Sequence, residues 1–357
     1  MIRRLLSAAL CVLFVFSPVF AEERVGTTFS AVQCAYLGVD WVNCYRQTLD
    51  LGLGIIRLGA YWNEIEKQEG VFDFSRLDWQ IARAKEKKIP VLLTVGMKAP
   101  RWPEFFIPDW LMQRIYLKFG GDVADNDELA ARTLRFVAEV VCHYRSEPAV
   151  LYWQVENEPL NRSGEKNWWI DKEFLKKEIE LTKRIDSVRK RPVVVNIATY
   201  PNGVIRFFAT LNIPNDPIGE AIEICDILAV NVYPTVGQRV WGKFNVCLRT
   251  SPKRRRAYLG KIVRMAAEKK KPTWSTELQT EPWEPGQLVH VGKEWPVTCV
   301  PESFTGFFDD LRAVNIRTIL LWGVEYWFYR RVRYGDEGWW KAGEELIRRG
   351  KRAISRR

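Results

Sequence analysis

The chain has 357 residues, of which 47% are hydrophobic, with a formal charge of +11, 16 Trp and only 2 His. That length suits one large α/β barrel, a fold that runs to roughly 250 residues or more as one domain. Two His leave little room for a His-based metal centre or a Ser-His-Asp triad. Carboxylates are therefore the main candidates for acid–base chemistry, and no motif calls for a metal or cofactor.

Arg3 and Arg4, an apolar run over residues 5–20 and Val19-Phe20-Ala21 read as a cleavable export signal over residues 1–21. The run is short of the ~20 residues needed to span a bilayer and contains Pro18, so an uncleaved anchor is the lesser reading. Residues 22–357 then form the mature unit, an exported one expected to be monomeric.

Apolar, β-rich runs of the kind expected for strands buried on both faces fall at 26–32, 55–58, 91–95, 150–155, 193–197, 227–232, 273–276 and 318–322. Amphipathic stretches separate them. Ser75-Arg76-Leu77-Asp78 has the form of a capping box opening a helix to about 87. Leu129, Thr133, Phe136, Val137, Val140, Val141 and Tyr144 keep a helical period, and 174–190, 261–270 and 339–348 follow the same rhythm. Eight strand–helix alternations predict a single-domain (β/α)8 TIM barrel. An open doubly wound sheet is disfavoured because no GxGxxG follows an early strand. The segments 97–125, 234–254 and 279–301 read as unusually long loops after the third, sixth and seventh strands, on the face where barrels carry their chemistry.

The cysteines left after residue 21 are six, an even number that permits disulfides in an exported chain. Cys142 and Cys225 fall within apolar patterns and are expected as buried thiols, and Cys247 and Cys299 are expected to join two loops. The clusters Lys253-Arg254-Arg255-Arg256, Lys269-Lys270-Lys271 and the tail from Arg348 read as solvated helix faces. They give a basic surface suited to electrostatic association with anionic cell-envelope polymers. No nucleic-acid motif accompanies the charge, so nucleic acid is not an expected partner.

Two strands end in carboxylates. Leu151-Tyr152-Trp153-Gln154-Val155 runs into Glu156-Asn157-Glu158-Pro159, and Pro272-Thr273-Trp274-Ser275-Thr276 runs into Glu277. Charges at a barrel mouth are costly unless paired or used. Solvated loop acids, or a structural ion pair between Glu277 and Arg57, are the plain alternatives. Retaining hydrolysis of a glycosidic bond needs two carboxyls about 5–5.5 Å apart, one protonated and one ionised. Two strand ends across a barrel mouth can straddle a sugar, whereas near neighbours such as Glu156 and Glu158 cannot do so as easily.

The pattern resembles clan A of the glycoside hydrolases, retaining (β/α)8-barrel enzymes with an Asn-Glu-Pro acid/base ending the fourth strand and a Glu nucleophile ending the seventh. The matching residues here are Asn157-Glu158-Pro159 and Glu277. Arg57-Leu58-Gly59-Ala60-Tyr61-Trp62 and Trp322-Gly323-Val324-Glu325-Tyr326-Trp327 resemble the clan's second and eighth strand regions. The resemblance spans roughly residues 26–345 and implies Glu158 as acid/base, Glu277 as nucleophile and an oligo- or polysaccharide substrate. It further implies that Asn157 bonds the sugar 2-hydroxyl, Tyr233 donates to Glu277, Arg57 positions Glu277, and Trp322 floors the cleavage point. Trp62, Trp102, Trp283, Trp295 and Trp327 are candidate sugar-stacking residues and Glu281 and Glu325 candidate substrate contacts, each with packing or ion pairing as the alternative. His143 and His290 receive no role. One departure is specific: family 5 of the clan places a His two residues before the sixth-strand Tyr, and here that residue is Asn231. A non-hydrolytic glycan-binding barrel and a transglycosylase are the competing functions.

Overall fold

The computed structural model describes residues 23–203, 206, 216–240, 244–287 and 289–354. The expected export signal, and the tail beyond residue 354, lie outside the described residues.

Eight parallel strands close into a barrel. They are β1 (Val25–Thr28), β2 (Ile56–Gly59), β3 (Val91–Val95), β4 (Val150–Val155), β5 (Val193–Thr199), β6 (Ile227–Val232), β9 (Thr273–Gln279) and β10 (Ile319–Trp322). Around them run α1 (Ala31–Leu37), α2 (Trp41–Asp50), α3 (Trp62–Ile65), α4 (Ser75–Glu86), α5 (Asp109–Met112), α6 (Asp127–Tyr144) and α7 (Lys172–Ile185). They continue with α8 (Pro217–Ile224), α9 (Pro252–Glu268), α10 (Ser303–Ala313), α11 (Val324–Tyr334) and α12 (Gly338–Ile354). β10 pairs with β1, which closes the sheet and leaves no edge strand. Among the described residues no helix is long and apolar enough to cross a membrane.

The barrel interior is layered. Ile55, Leu92, Val194, Ala229, Trp274 and Leu320 form a compact apolar cluster of their own, distinct from the core between strands and helices. Side chains two apart on a strand share a face. Two residues further on, the interior turns polar: Arg57, Thr94, Asn196, Asn231 and Thr276 are all wholly buried. A polar layer is thus stacked on an apolar plug, toward the C-terminal ends of the strands.

Several expectations are corrected. β1 stops at Thr28, and Val32 belongs to α1, so the apolar run at 26–32 spans a strand and the start of a helix. Ser75 is the first residue of α4 rather than its cap; Asp73 accepts the Ser75 N–H at 2.9 Å instead. Part of the loop at 234–254 is a β-hairpin, β7 (Thr235–Val240) with β8 (Phe244–Arg249). Cys247 and Cys299 are free thiols, and Cys142 is exposed because it lies off the buried stripe of α6. Arg255 is no solvated cation: it is buried, ion-paired with Asp310 and stacked over Phe307 at 5.2 Å.

Candidate active site

The acid at the end of β4 sits in a tight turn. Glu156 and Glu158 both have left-handed backbones, at φ 59° and 50°. Asn196 of β5 fixes the turn by accepting the Glu158 N–H at 2.7 Å, while Lys98 Nζ donates to the Glu158 carbonyl at 2.7 Å. Glu158 is half-buried, and its carboxyl accepts from Asn231 Nδ2 at 2.6 Å. Burial, and then the negative charge of Glu277, push its pKa up to about 8. A carboxyl in that state holds its proton at neutral pH and can give it away.

The carboxylate on β9, inside the strand because β9 runs on to Gln279 rather than ending at 276, is held quite differently. Glu277 is buried, with Arg57 Nη1 on one oxygen at 2.8 Å and the Tyr233 hydroxyl on the other at 2.5 Å. A bulge makes this possible. Val230 of β6 pairs with Ser275, yet Asn231 pairs with Glu277, so Thr276 is an extra residue. On a regular strand Thr276 and Glu277 would face opposite sides. With the bulge, Thr276 Oγ1 reaches Asn231 at 2.7 Å while Glu277 reaches Arg57 and Tyr233.

One hydrogen-bonded chain connects the two carboxyls. From Glu277 it passes to Arg57, which donates to Asn157 Oδ1 at 2.5 Å; Asn196 donates to the same oxygen at 2.8 Å. Asn196 also approaches Asn231 at 3.4 Å, and Asn231 donates to Glu158. Arg57 therefore serves both the nucleophile candidate and the residue beside the acid. With its oxygen fixed by two donors, Asn157 has its amide orientation set.

A second cluster lies on the rim. Arg101, from the loop after β3, is buried with φ 90°. It ion-pairs with Glu281 and with Glu325, the latter at 2.6 Å, and lies 3.8 Å from the centre of the Trp322 ring. Glu325 is wholly buried, and its other oxygen accepts the Ser30 N–H at 2.5 Å. Its place is structural, with both oxygens engaged inside the protein. Trp322 is nearly buried and carries Arg101 on its ring.

The expected aromatic residues separate into two groups. Trp62 is a correction: it is wholly buried, stacked on Phe136 at 5.2 Å, with its N–H on Glu66 at 2.7 Å. Trp327 is likewise core, bonded to the Thr280 carbonyl. Trp283 is 44% exposed and meets Tyr233 edge-on at 4.9 Å, which puts it beside the nucleophile candidate. Trp102 is half-buried on the β3 loop, and Trp295 is exposed on the loop after β9. His143 is exposed and paired with Asp78; His290 bonds the Glu294 carbonyl.

Sequence reasoning gave no catalytic part to Asn196, Asn231, Lys98 or Arg101. The first two carried a usable signal, since each is a lone amide inside an apolar strand run, and buried amides need partners. Arg101 and Lys98 carried none, because their burial depends on how the long β3 loop folds back. Among the described residues no group of three or more His, Cys, Asp or Glu is arranged to hold a metal ion.

A closed (β/α)8 barrel with a proton-holding carboxyl after its fourth strand and an Arg- and Tyr-held carboxylate near the C-terminal end of its seventh is the layout of clan A glycoside hydrolases. Comparison with known proteins points the same way. The glycoside hydrolase family 42 model, described as beta-galactosidase, matches residues 39–172, a stretch that includes Arg57, Asn157 and Glu158 but not Glu277. The beta-galactosidase bgaB of Geobacillus kaustophilus is 30% identical over 126 residues, which is 33% of this chain and 19% of that protein. The chain thus spans about a fifth of the length of the curated relatives it matches. Among solved structures, the beta-galactosidase from Rahnella sp. R3 superposes with a TM-score of 0.65 at 12% identity, over 95% of this chain and 57% of that one. GH5_18 from Streptomyces cattleya, in complex with GlcNAc, gives 0.61 at 15% identity over 92% and 80%. At such identities these structures share the fold.

Proposed function

We propose that the chain is a retaining β-glycosidase that works by double displacement, with Glu158 as acid/base and Glu277 as nucleophile. The observation that carries this reading is the contrast between two carboxyls on one hydrogen-bonded network: Glu158 raised to about 8, Glu277 clasped by Arg57 and Tyr233. In the first step Glu277 attacks the anomeric carbon while Glu158 gives its proton to the leaving oxygen, forming a glycosyl ester on Glu277. In the second step Glu158, now ionised, takes a proton from water, which displaces Glu277 and restores the original anomeric configuration.

The supporting groups have matching parts. Arg57 and Tyr233 align the two Glu277 oxygens, and Asn157 offers its amide to the sugar 2-hydroxyl. Trp322 with Arg101 and Glu281 shapes the pocket wall, and exposed Trp283, with Trp102 and Trp295 further out, gives stacking surfaces for sugar units beyond the cleaved bond. Because the matched relatives are beta-galactosidases, aryl β-galactosides are the first substrates to try. NMR of the product at early times tests the mechanism. The β-anomer forming first supports it, and the α-anomer forming first rejects it.

The expected export belongs to the same proposal and is supported by the leader-like residues 1–21. N-terminal sequencing of the protein recovered outside the cytoplasm checks it: a chain beginning at Glu22 is the expected result.

A further inference from the structure

The turn that carries Glu158 contains two left-handed non-glycine residues, a strained conformation that persists only when its surroundings hold it. Glu156 supplies the hold. It is wholly buried, and its carboxylate accepts the N–H groups of Met97 at 2.8 Å and Lys98 at 2.5 Å. Its own N–H bonds the Val95 carbonyl, and the Asn157 N–H bonds the Lys98 carbonyl, both at 2.8 Å. Gly96 makes room for it, since a Cβ there would lie 2.1 Å from Glu156 Oε1. One carboxylate thus clamps the end of β4 onto the end of β3.

Glu178 of α7 lies against this clamp. Its neighbours on the buried stripe of that helix are Phe174, Leu175, Ile179 and Thr182, so it is the one acid on an otherwise nearly apolar face. Glu178 is wholly buried, and among the described residues no N–H or O–H donor reaches either of its oxygens. The polar group that faces it is the Glu156 carboxyl, so a bond between them needs one of the two to carry a proton. Two carboxylates cannot form that bond, because neither has a hydrogen to donate. Glu156 already accepts two backbone N–H groups, which favours its charged form, so the shared proton resides on Glu178. The remaining charged groups facing the pair are Lys98, on the β3 side, and Asp171, the cap of α7.

We propose that Glu178 is a positioning residue for the acid/base: its carboxylic acid donates to Glu156 and so holds the Glu156-Asn157-Glu158 turn that aims Glu158 at the sugar. Glu178 acts only through Glu156. Burial, the first cause, together with the Glu156 charge, raises Glu178 well above the usual carboxylate range, and burial pushes Glu156 up to about 7, which keeps one proton in the pair at neutral pH. The proposal rests on the glycosidase reading for its catalytic consequence, but the shared proton stands apart from it.

The test uses the full chain with Glu178→Gln, which keeps a donor that cannot titrate, and Glu178→Leu, which removes it. On an aryl β-glycoside that the wild type cleaves, the Leu variant loses about tenfold or more in kcat with KM within about twofold, and the Gln variant restores most of that loss. The second readout is Tm against pH. The folded pair keeps a proton that an unfolded Glu releases near pH ~4.3, so the native state binds more protons from there upward and the wild type loses Tm as pH rises from 5 to 8. The Gln variant loses less over the same range. Equal kcat in all three proteins, or a Gln variant as slow as the Leu variant, overturns the positioning role. Equal pH slopes of Tm in wild type and Gln variant overturn the shared proton. A wild type that cleaves no glycoside sinks the glycosidase reading instead, and the Tm comparison still decides the pair, even if the Leu variant does not fold.

Discussion

Glu158 and Glu277 are the same residue type, both near strand ends on one barrel mouth, and the protein treats them in opposite ways. Glu277 receives a guanidinium and a phenol, one on each oxygen, and sits on a bulged strand that keeps it from turning outward. Glu158 receives one neutral amide and the repulsion of its partner's charge, on a turn that is itself conformationally costly. Chemical identity therefore decides little here; the neighbours assign the roles. The strand that presents the charged group is braced by a cation, whereas the turn that presents the proton donor is braced from behind by other carboxyls.

The sharpest way to break this contrast is to remove the nucleophile's charge. Glu277→Gln should lower kcat by about 10⁴-fold or more on every substrate, as measured by steady-state hydrolysis. Glu158→Gln should cost about 10²–10⁴-fold, and the cost should depend on the leaving group. An aryl glycoside with a very acidic phenol needs no proton, so its first step should be nearly spared, a split that Glu277→Gln cannot show.

A smaller effect concerns pH. Glu158 must carry its proton, so kcat/KM should fall above about pH 8. Asn231 donates to the charged form of Glu158, and its loss favours the protonated form. Asn231→Ala should therefore move the alkaline limb to higher pH, read from kcat/KM profiles of the two proteins; an unmoved limb would mean that another group sets it. The smallest effect is expected for Trp283→Ala. This residue is 44% exposed at the rim, so stability should change little while KM for a longer oligosaccharide rises a few-fold and KM for an aryl monosaccharide stays put.

Much of the barrel was readable from the residues because buried parallel strands are written as uninterrupted apolar runs. β3, β4 and β6 begin and end where that pattern does. β1 was overextended because Ala31 and Val32 are as apolar as a strand, though they open a helix. The hairpin Thr235–Val240 with Phe244–Arg249 went unseen: its strands lie outside the barrel and carry Gly237, Gln238 and Arg239 in place of an apolar run. The two carboxylates were legible as charges at the ends of buried strands. Their partners were less so. Asn231 was noticed only as the residue standing in place of a histidine, whereas its amide is what touches the acid. Trp62 and Trp327 show the limit in the other direction. An indole just after a strand can face a ligand or the core, and only the packing of Phe136 and the Thr280 carbonyl settles which.

The missing side chain at Gly96 has an evolutionary corollary. Any substituent there would occupy the space of the Glu156 carboxylate, so position 96 cannot gain a side chain while the acid at 156 is kept. In descendants of this sequence an acid at 156 should be inherited together with glycine at 96. A lineage that acquires alanine at 96 should already have surrendered the acid at 156, and with it the reason for an acid at 178.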